Sequence, residues 1–128
     1  MPNILIVEDN ADIAMLYQRA LMKYHNTVVE RAEDAIELLN RQPYDLVILD
    51  LHLPEASGFT VLEHLRQERK DMETKIIVIS ADDMHKKRCQ KYHIQDWMTK
   101  PIELDVFMEM VDRHLVNTPS PKHSTLDN

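Results

Sequence analysis

Apolar positions fall into two kinds of grouping that take turns along the chain. Short unbroken runs rich in β-branched residues occur at Ile4–Val7, Thr27–Val29, Leu46–Leu49 and Ile76–Ile79, with a weaker one at Asp96–Met98. Runs of this length predict strands, and those that are apolar throughout predict strands covered on both faces, as in a parallel sheet. Between them the apolar residues recur at helical spacing. Ile13, Leu16, Tyr17, Ala20, Leu21 and Tyr24 follow the i, i+3, i+4, i+7, i+8, i+11 rule, with Asn10 placed to cap the helix. Ala32, Ala35, Ile36 and Leu39 make a second stripe that stops before Pro43, Val61, Leu62 and Leu65 a third, and Leu104, Phe107, Met108, Val111 and Leu115 a fifth. A fourth helix is expected over Asp83 to Tyr92, weakly anchored because Met84 and Tyr92 are nearly its only large apolar residues. Strand and helix alternate five times, which predicts an α/β fold built on a doubly wound, five-stranded parallel sheet with five helices.

Composition narrows what such a sheet can do. The 128 residues suit one domain over 1–116, with 117–128, rich in Pro, Ser, Thr and Asn, expected as a disordered tail or the stub of a linker. Fifteen Lys and Arg against 22 Asp and Glu give a formal charge of −7, which argues against nucleic acid or an anionic membrane as a direct partner. The first apolar run, Ile4 to Val7, is too short for a signal sequence or a membrane span. Cys89 stands alone in Lys-Lys-Arg-Cys-Gln-Lys, so it is expected as an ordinary free cysteine in a reducing, cytoplasmic setting. The one glycine, Gly58, is far below the roughly nine that average usage would supply. No glycine-rich phosphate loop can be written with it, so any phosphate chemistry falls to side chains.

In a doubly wound sheet ligands bind outside the carboxyl ends of the strands. There the first strand ends in Glu8 and Asp9, the third in Asp50 and the fourth in Ser80, while Lys100 follows the fifth by two residues. Glu30, after the second strand, is left out on the expectation that this strand forms an edge. Glu8, Asp9 and Asp50 would repel one another unless a cation sits among them. Mg²⁺ fits, because it takes oxygen from one or two carboxylates, keeps several waters and accepts phosphate oxygens; Asp9 and Asp50 would bind it, with Glu8 acting through water. A carboxylate facing such an ion can attack phosphorus to form an acyl phosphate, with Lys100 and Ser80 supplying an ammonium and a hydroxyl to the equatorial oxygens.

These residues lie in a familiar order. Ile-Leu-Ile-Val-Glu-Asp-Asn at the first strand, Asp-Leu-Val-Ile-Leu-Asp-Leu-His-Leu-Pro around Asp50, Gly58 eight residues later, Ile-Ile-Val-Ile-Ser-Ala and Asp-Trp-Met-Thr-Lys-Pro together resemble the receiver domain of two-component response regulators over residues 3–116. The resemblance implies a flavodoxin-like fold of strand order 2-1-3-4-5. It also implies that Asp50 accepts a phosphoryl group from a sensor histidine kinase or histidine phosphotransfer protein, and that the phosphorylated form switches binding to a downstream protein target in phosphorelay signalling. The backbone carbonyl of His52 would join Asp9 and Asp50 on the metal, Ser80 and Trp97 would form the switch, and Lys100-Pro101 would be a cis peptide.

Several positions depart from that pattern or carry a second reading. Trp97 stands where relatives usually have Tyr or Phe, and its larger indole, with an N–H that needs a partner, either rotates inward or stays on the outer face. His93 replaces the glycine that often ends the fourth helix, so it must tolerate positive φ or avoid it. His52 and Asp82 border the expected phosphoryl position and would pair across it. Asp12 either touches the metal site or simply complements the dipole of the first helix. Lys86, Lys87, Arg88 and Lys91 on helix four, against Glu103, Asp105, Glu109 and Asp112 on helix five, suit ion pairing within one molecule or a phosphorylation-dependent homodimer through that face. Two other functions compete: an aspartate-nucleophile phosphatase, which would want an acid where His52 stands, and a flavin or nucleotide binder, which the glycine count disfavours. The remaining histidines lack ligand spacing, so no zinc site is expected.

Overall fold

A computed structural model describes residues 2–53 and 57–116, so the expected tail at 117–128 lies outside the described residues. Five strands, β1 (Asn3–Val7), β2 (His25–Val29), β3 (Leu46–Asp50), β4 (Lys75–Ser80) and β5 (Asp96–Thr99), form one parallel sheet in the order β2-β1-β3-β4-β5. The helices are α1 (Ala11–Ala20), α2 (Ala32–Arg41), α3 (Phe59–Glu63, continued by a π-helical turn over His64–Glu68), α4 (Lys86–Gln90) and α5 (Leu104–Val116).

Alternate residues of the apolar strands point into two cores, as the two-residue repeat of a strand requires. Leu5, Val7, Val47, Leu49, Ile76 and Val78 face α2, α3 and α4 together with Ala35, Leu39, Phe59, Leu62 and Leu65. Ile4, Ile6, Ile48, Ile77 and Ile79 face α1 and α5, meeting Tyr17, Leu21, Phe107, Val111 and Leu115. Each fully buried Leu or Ile contributes about 1.5–3 kcal/mol, which makes the central strands the firmest part of the molecule. Asn10 caps α1 as expected, its Oδ1 accepting from the Ile13 N–H at 3.0 Å. Tyr24 lies beyond the end of α1, where its hydroxyl donates to Asp112 of α5 at 2.5 Å.

The structure corrects the reading of the fourth helix. Only Lys86–Gln90 is helical, Met84 is 75% exposed, and the anchor is Cys89, fully buried against α3 with Tyr92 one turn on. Charged neighbours disguise Cys89 in the sequence, yet it and Tyr92 are three apart and share the inner face. Burial pushes its thiol up to about 11, so it stays protonated and unreactive at neutral pH.

Arg66 is a second surprise. Its guanidinium is buried and donates to the carbonyls of Tyr92 at 2.7 Å, Asp71 at 2.6 Å and His93 at 3.1 Å. That clamp ties the end of α3 to the turn before β5, where His93 adopts the positive φ, 54°, that glycine would favour. Lys70 has the same φ of 54° just past α3.

Candidate functional site

Strand register brings the expected residues to one end of the sheet. Val7 pairs with Leu49, Asp50 with Ile79 and Ser80 with Thr99, so the residues at or just past the ends of β1, β3, β4 and β5 emerge side by side. The hydrogen-bond ladder runs one step beyond the strands: the Glu8 N–H donates to Val29 O at 3.0 Å and the Lys100 N–H to Ser80 O at 2.7 Å. The backbones of the acid and the lysine are therefore fixed by the sheet itself. Lys100-Pro101 is cis, as the resemblance implied.

Lys100 Nζ reaches across the end of the sheet to Glu8 Oε1 at 2.9 Å and Asp50 Oδ2 at 3.0 Å. Glu8 and Asp50 are buried, and Lys100 is mostly covered. Burial raises the Glu8 pKa above its ordinary value, against the hydrogen bonds from Lys100 and the Asn10 N–H, and the charge of Asp50 raises it further. Burial alone would lower the Lys100 pKa, but the hydrogen bonds to Glu8 and Asp50 and their charges carry it above the usual lysine value. The other Asp50 oxygen, Oδ1, accepts from the backbone N–H of His52 at 2.9 Å. Glu8, Asp9 and Asp50 each place a carboxylate oxygen within 4.8 Å of the others, with Asp9 on the solvent side. Ser80 is fully buried, and its Oγ has no hydrogen-bond partner among the described residues.

Gly58, the one glycine of the chain, is required by close approach and not by backbone freedom. Its φ is −61°, a value open to any residue, so conformational freedom is not what it supplies. A Cβ there would lie 2.6 Å from the carbonyl oxygen of Asp50 and 2.8 Å from Leu51 Cα, both backbone atoms. The residue is small so that the start of α3 can lie against the backbone of the acid.

Other expected residues fall around this centre. Trp97 is half-buried against the α3 and α4 core, and its indole N–H donates to Thr99 Oγ1 at 3.3 Å, a partner two residues along the same strand. Asp82 Oδ1 accepts from the Met84 N–H at 2.9 Å, and His52 is exposed. Asp12 is an exposed acid in the first turn of α1, where it complements the helix dipole. Tyr17 was not singled out by sequence, although its spacing put it on the inner face of α1. It lines an apolar groove of about 430 Å³ beside Lys100, with Ile13, Leu16, Pro101, Ile102 and Leu104. Burial pushes its hydroxyl up to about 12, while Lys100 pulls down and Glu8 and Asp50 push up. A larger hollow of about 710 Å³ lies at the opposite end of the strands, around Asp45, Lys70 and Lys75, away from Glu8, Asp9 and Asp50.

Residues 4–112 match the family model of the response regulator receiver domain. The chain belongs to that family. This receiver domain is 33% identical over 119 residues to the two-component response regulator ARR2 of Arabidopsis thaliana, covering 88% of this chain and 17% of that protein. It is 31% identical over 129 residues to the response regulator protein PilR of Pseudomonas aeruginosa, covering 97% of this chain and 28% of that one. The receiver domain thus spans a minor part of the length of these curated relatives. Among solved structures it resembles the non-phosphorylated HemR receiver domain from Leptospira biflexa, with a TM-score of 0.84, 26% identity and coverage of 94% and 98% of the two chains. TrrA from Thermotoga maritima, solved in complex with Mg²⁺-BeF, gives a TM-score of 0.78 at 29% identity, covering 89% and 99%. Receiver domains are signalling switches, and among the described residues no helix of this one is long and apolar enough to cross a membrane.

Proposed function

We propose that this receiver domain accepts a phosphoryl group on Asp50 from a phosphohistidine of a sensor histidine kinase or histidine phosphotransfer protein, in a Mg²⁺-dependent reaction. The phosphorylated form then changes its binding to a downstream protein, and the domain works in the cytoplasm. The observation that carries the reading is Lys100 bridging Glu8 and Asp50, next to a buried hydroxyl that lacks a partner.

The donor set suits a hard divalent cation, because it offers only oxygen and groups three carboxylates within 4.8 Å. Asp9, Asp50 and the backbone carbonyl of His52 would hold Mg²⁺, with Glu8 acting through water. When bound, the ion offsets the charge of the incoming phosphoryl group and the acid together.

The remaining work belongs to the chain. Asp50 uses a carboxylate oxygen as nucleophile: the oxygen–phosphorus bond forms, the phosphorus–nitrogen bond of the phosphohistidine breaks, and the electron pair leaves with the imidazole nitrogen. The His52 N–H on Oδ1 fixes the carboxylate plane, so the attacking oxygen is already aimed. Lys100 moves from the carboxylates to an equatorial phosphoryl oxygen, carrying its positive charge to where negative charge accumulates. Ser80 Oγ, whose unmet hydrogen bond costs about 1–3 kcal/mol while it stays buried, donates to another of those oxygens. The domain thereby supplies groups to its own phosphorylation and to hydrolysis of the product. His52 and Asp82 tune that hydrolysis from the rim, a role checked by the dephosphorylation rate of His52→Ala. Exposed Lys86 and Lys87 on α4, with Lys91 just past it, and Asp105 and Glu109 on α5, with Glu103 just before it, support a phosphorylation-dependent homodimer through that face.

The test is incubation with Mg²⁺ and acetyl phosphate followed by intact-mass measurement. The wild type gains one phosphoryl group, and both Asp50→Asn and metal removal by EDTA abolish the gain. Uptake by Asp50→Asn equal to wild type would overturn the reading.

A further inference from the structure

We propose that the apolar groove beside Lys100 is a leaving-group subsite: it takes the ring of an aromatic phosphodonor, so that the domain draws phosphoryl groups by preference from small donors whose leaving group carries such a ring. The proposal deepens the phosphoryl-acceptor reading of Asp50 and rests on it.

The groove has the build of a small-ligand site, concave and mostly apolar with a single charged group at its edge. Its volume is about 430 Å³, and Lys100 is the one charged residue that lines it. Ile13 and Leu16 come from α1, and Ile102 and Leu104 from the approach to α5. Tyr17 closes it on the inner side, 3% exposed and with its ring tilted on Phe107 at 4.8 Å. Leu16 is 48% exposed, an apolar wall left open to an incoming molecule.

Continuity with the acids decides what that molecule is. Lys100 belongs to both places: its ammonium bonds Glu8 and Asp50 while the residue also lines the groove. Tyr17 senses the charges of Lys100, Glu8 and Asp50. A donor that presents its phosphoryl group to Asp50 therefore has the groove beside it, and a leaving group large enough to reach past Lys100 meets apolar side chains. Covering a flat ring there is favourable in proportion to the apolar area removed from water, and a methyl group covers little.

Benzoyl phosphate and acetyl phosphate form the matched pair for the test, since both release a carboxylate of similar acidity. With either one the Asp50 oxygen–phosphorus bond forms, the phosphorus–oxygen bond to the acyl group breaks, and the electron pair leaves on the carboxylate. Initial rates of phosphoryl uptake are read by intact mass at equal, sub-saturating donor and fixed Mg²⁺. The wild type is expected to use benzoyl phosphate about tenfold faster. Leu16→Ser, at the exposed rim where folding is least at stake, brings that ratio close to one, whereas Met22→Ser, at an exposed methionine outside the groove, keeps it. Benzamide, a neutral probe of the ring alone, shifts the methyl NMR signals of Ile13, Leu16 and Ile102 without Mg²⁺ and leaves that of Met22 in place. A wild-type ratio near one overturns the proposal and leaves the apolar wall to the side chains of a partner protein. A ratio that Leu16→Ser does not change, or groove signals that benzamide does not move, overturns it as well. A wild type that takes up phosphate from neither donor overturns the acceptor reading, and this proposal with it.

Discussion

Lys100 has to serve two buried acids before any phosphate arrives, and its geometry shows the cost of removing it. Glu8 and Asp50 share one ammonium at 2.9 and 3.0 Å. Lys100→Ala leaves two carboxylates facing each other with little water, and the variant is expected to lose about 1–3 kcal/mol in urea denaturation, a loss reduced from that of a fully buried pair because Lys100 is partly exposed. Mg²⁺ should recover more of the stability of the variant than of the wild type, since it supplies the missing positive charge. These site residues were legible because each is polar and falls within two residues of the end of an apolar run. The lack of a partner for Ser80 was not legible, because it depends on what the packed neighbours fail to offer. Nor was the true demand on Gly58, whose constraint is an atom of Asp50 eight residues away.

Elements with long apolar periodicity could be read directly, and the short ones could not. All five strands and the stripes of α1, α2 and α5 followed from spacing, because burial on a continuous face leaves a repeat in the sequence. With five residues, α4 leaves too little repeat, and its anchor is a cysteine among charges. Cys89 should therefore resist iodoacetamide in the native protein at pH 8 and react once urea unfolds the chain; prompt native labelling would contradict its burial and its pKa of about 11. Arg66 was hidden for a different reason. Its partners are backbone carbonyls brought together by the turn of the chain after α4, and no pattern of side chains announces them. Arg66→Ala leaves those carbonyls without their donor and is expected to cost about 2–4 kcal/mol, read as a fall in urea midpoint.

For the whole molecule, acid stability has a definite sign. Burial by itself would raise the Asp71 pKa, but hydrogen bonds from the Thr74 hydroxyl and from the Thr74 and Glu73 N–H groups bring it below the ordinary 3.8. Asp96 is lowered likewise, burial being outweighed by hydrogen bonds from His114, the Trp97 N–H and Arg113. Groups depressed in the folded state stabilise it above the unfolded pKa of about 4 and lose that contribution as pH falls towards their folded values. Glu8, raised by burial, works in the opposite sense and offsets part of the loss. The urea midpoint should hold from pH 7 to 5 and drop between pH 4 and 3, with a shallower drop for Asp71→Asn. An equal drop in that variant would assign the acid sensitivity elsewhere.

The strand order also governs when the site can exist during synthesis. Glu8 follows the first strand and Lys100 the last, and they meet only after β5 has joined β4. Because the sheet is parallel, each strand waits for a crossover before it can pair, so these distant partners assemble late. A nascent chain that ends before Lys100 carries the acid, the metal ligands and the hydroxyl without the group that neutralises them. The domain is thus kept from reading a signal until its last strand has joined the sheet.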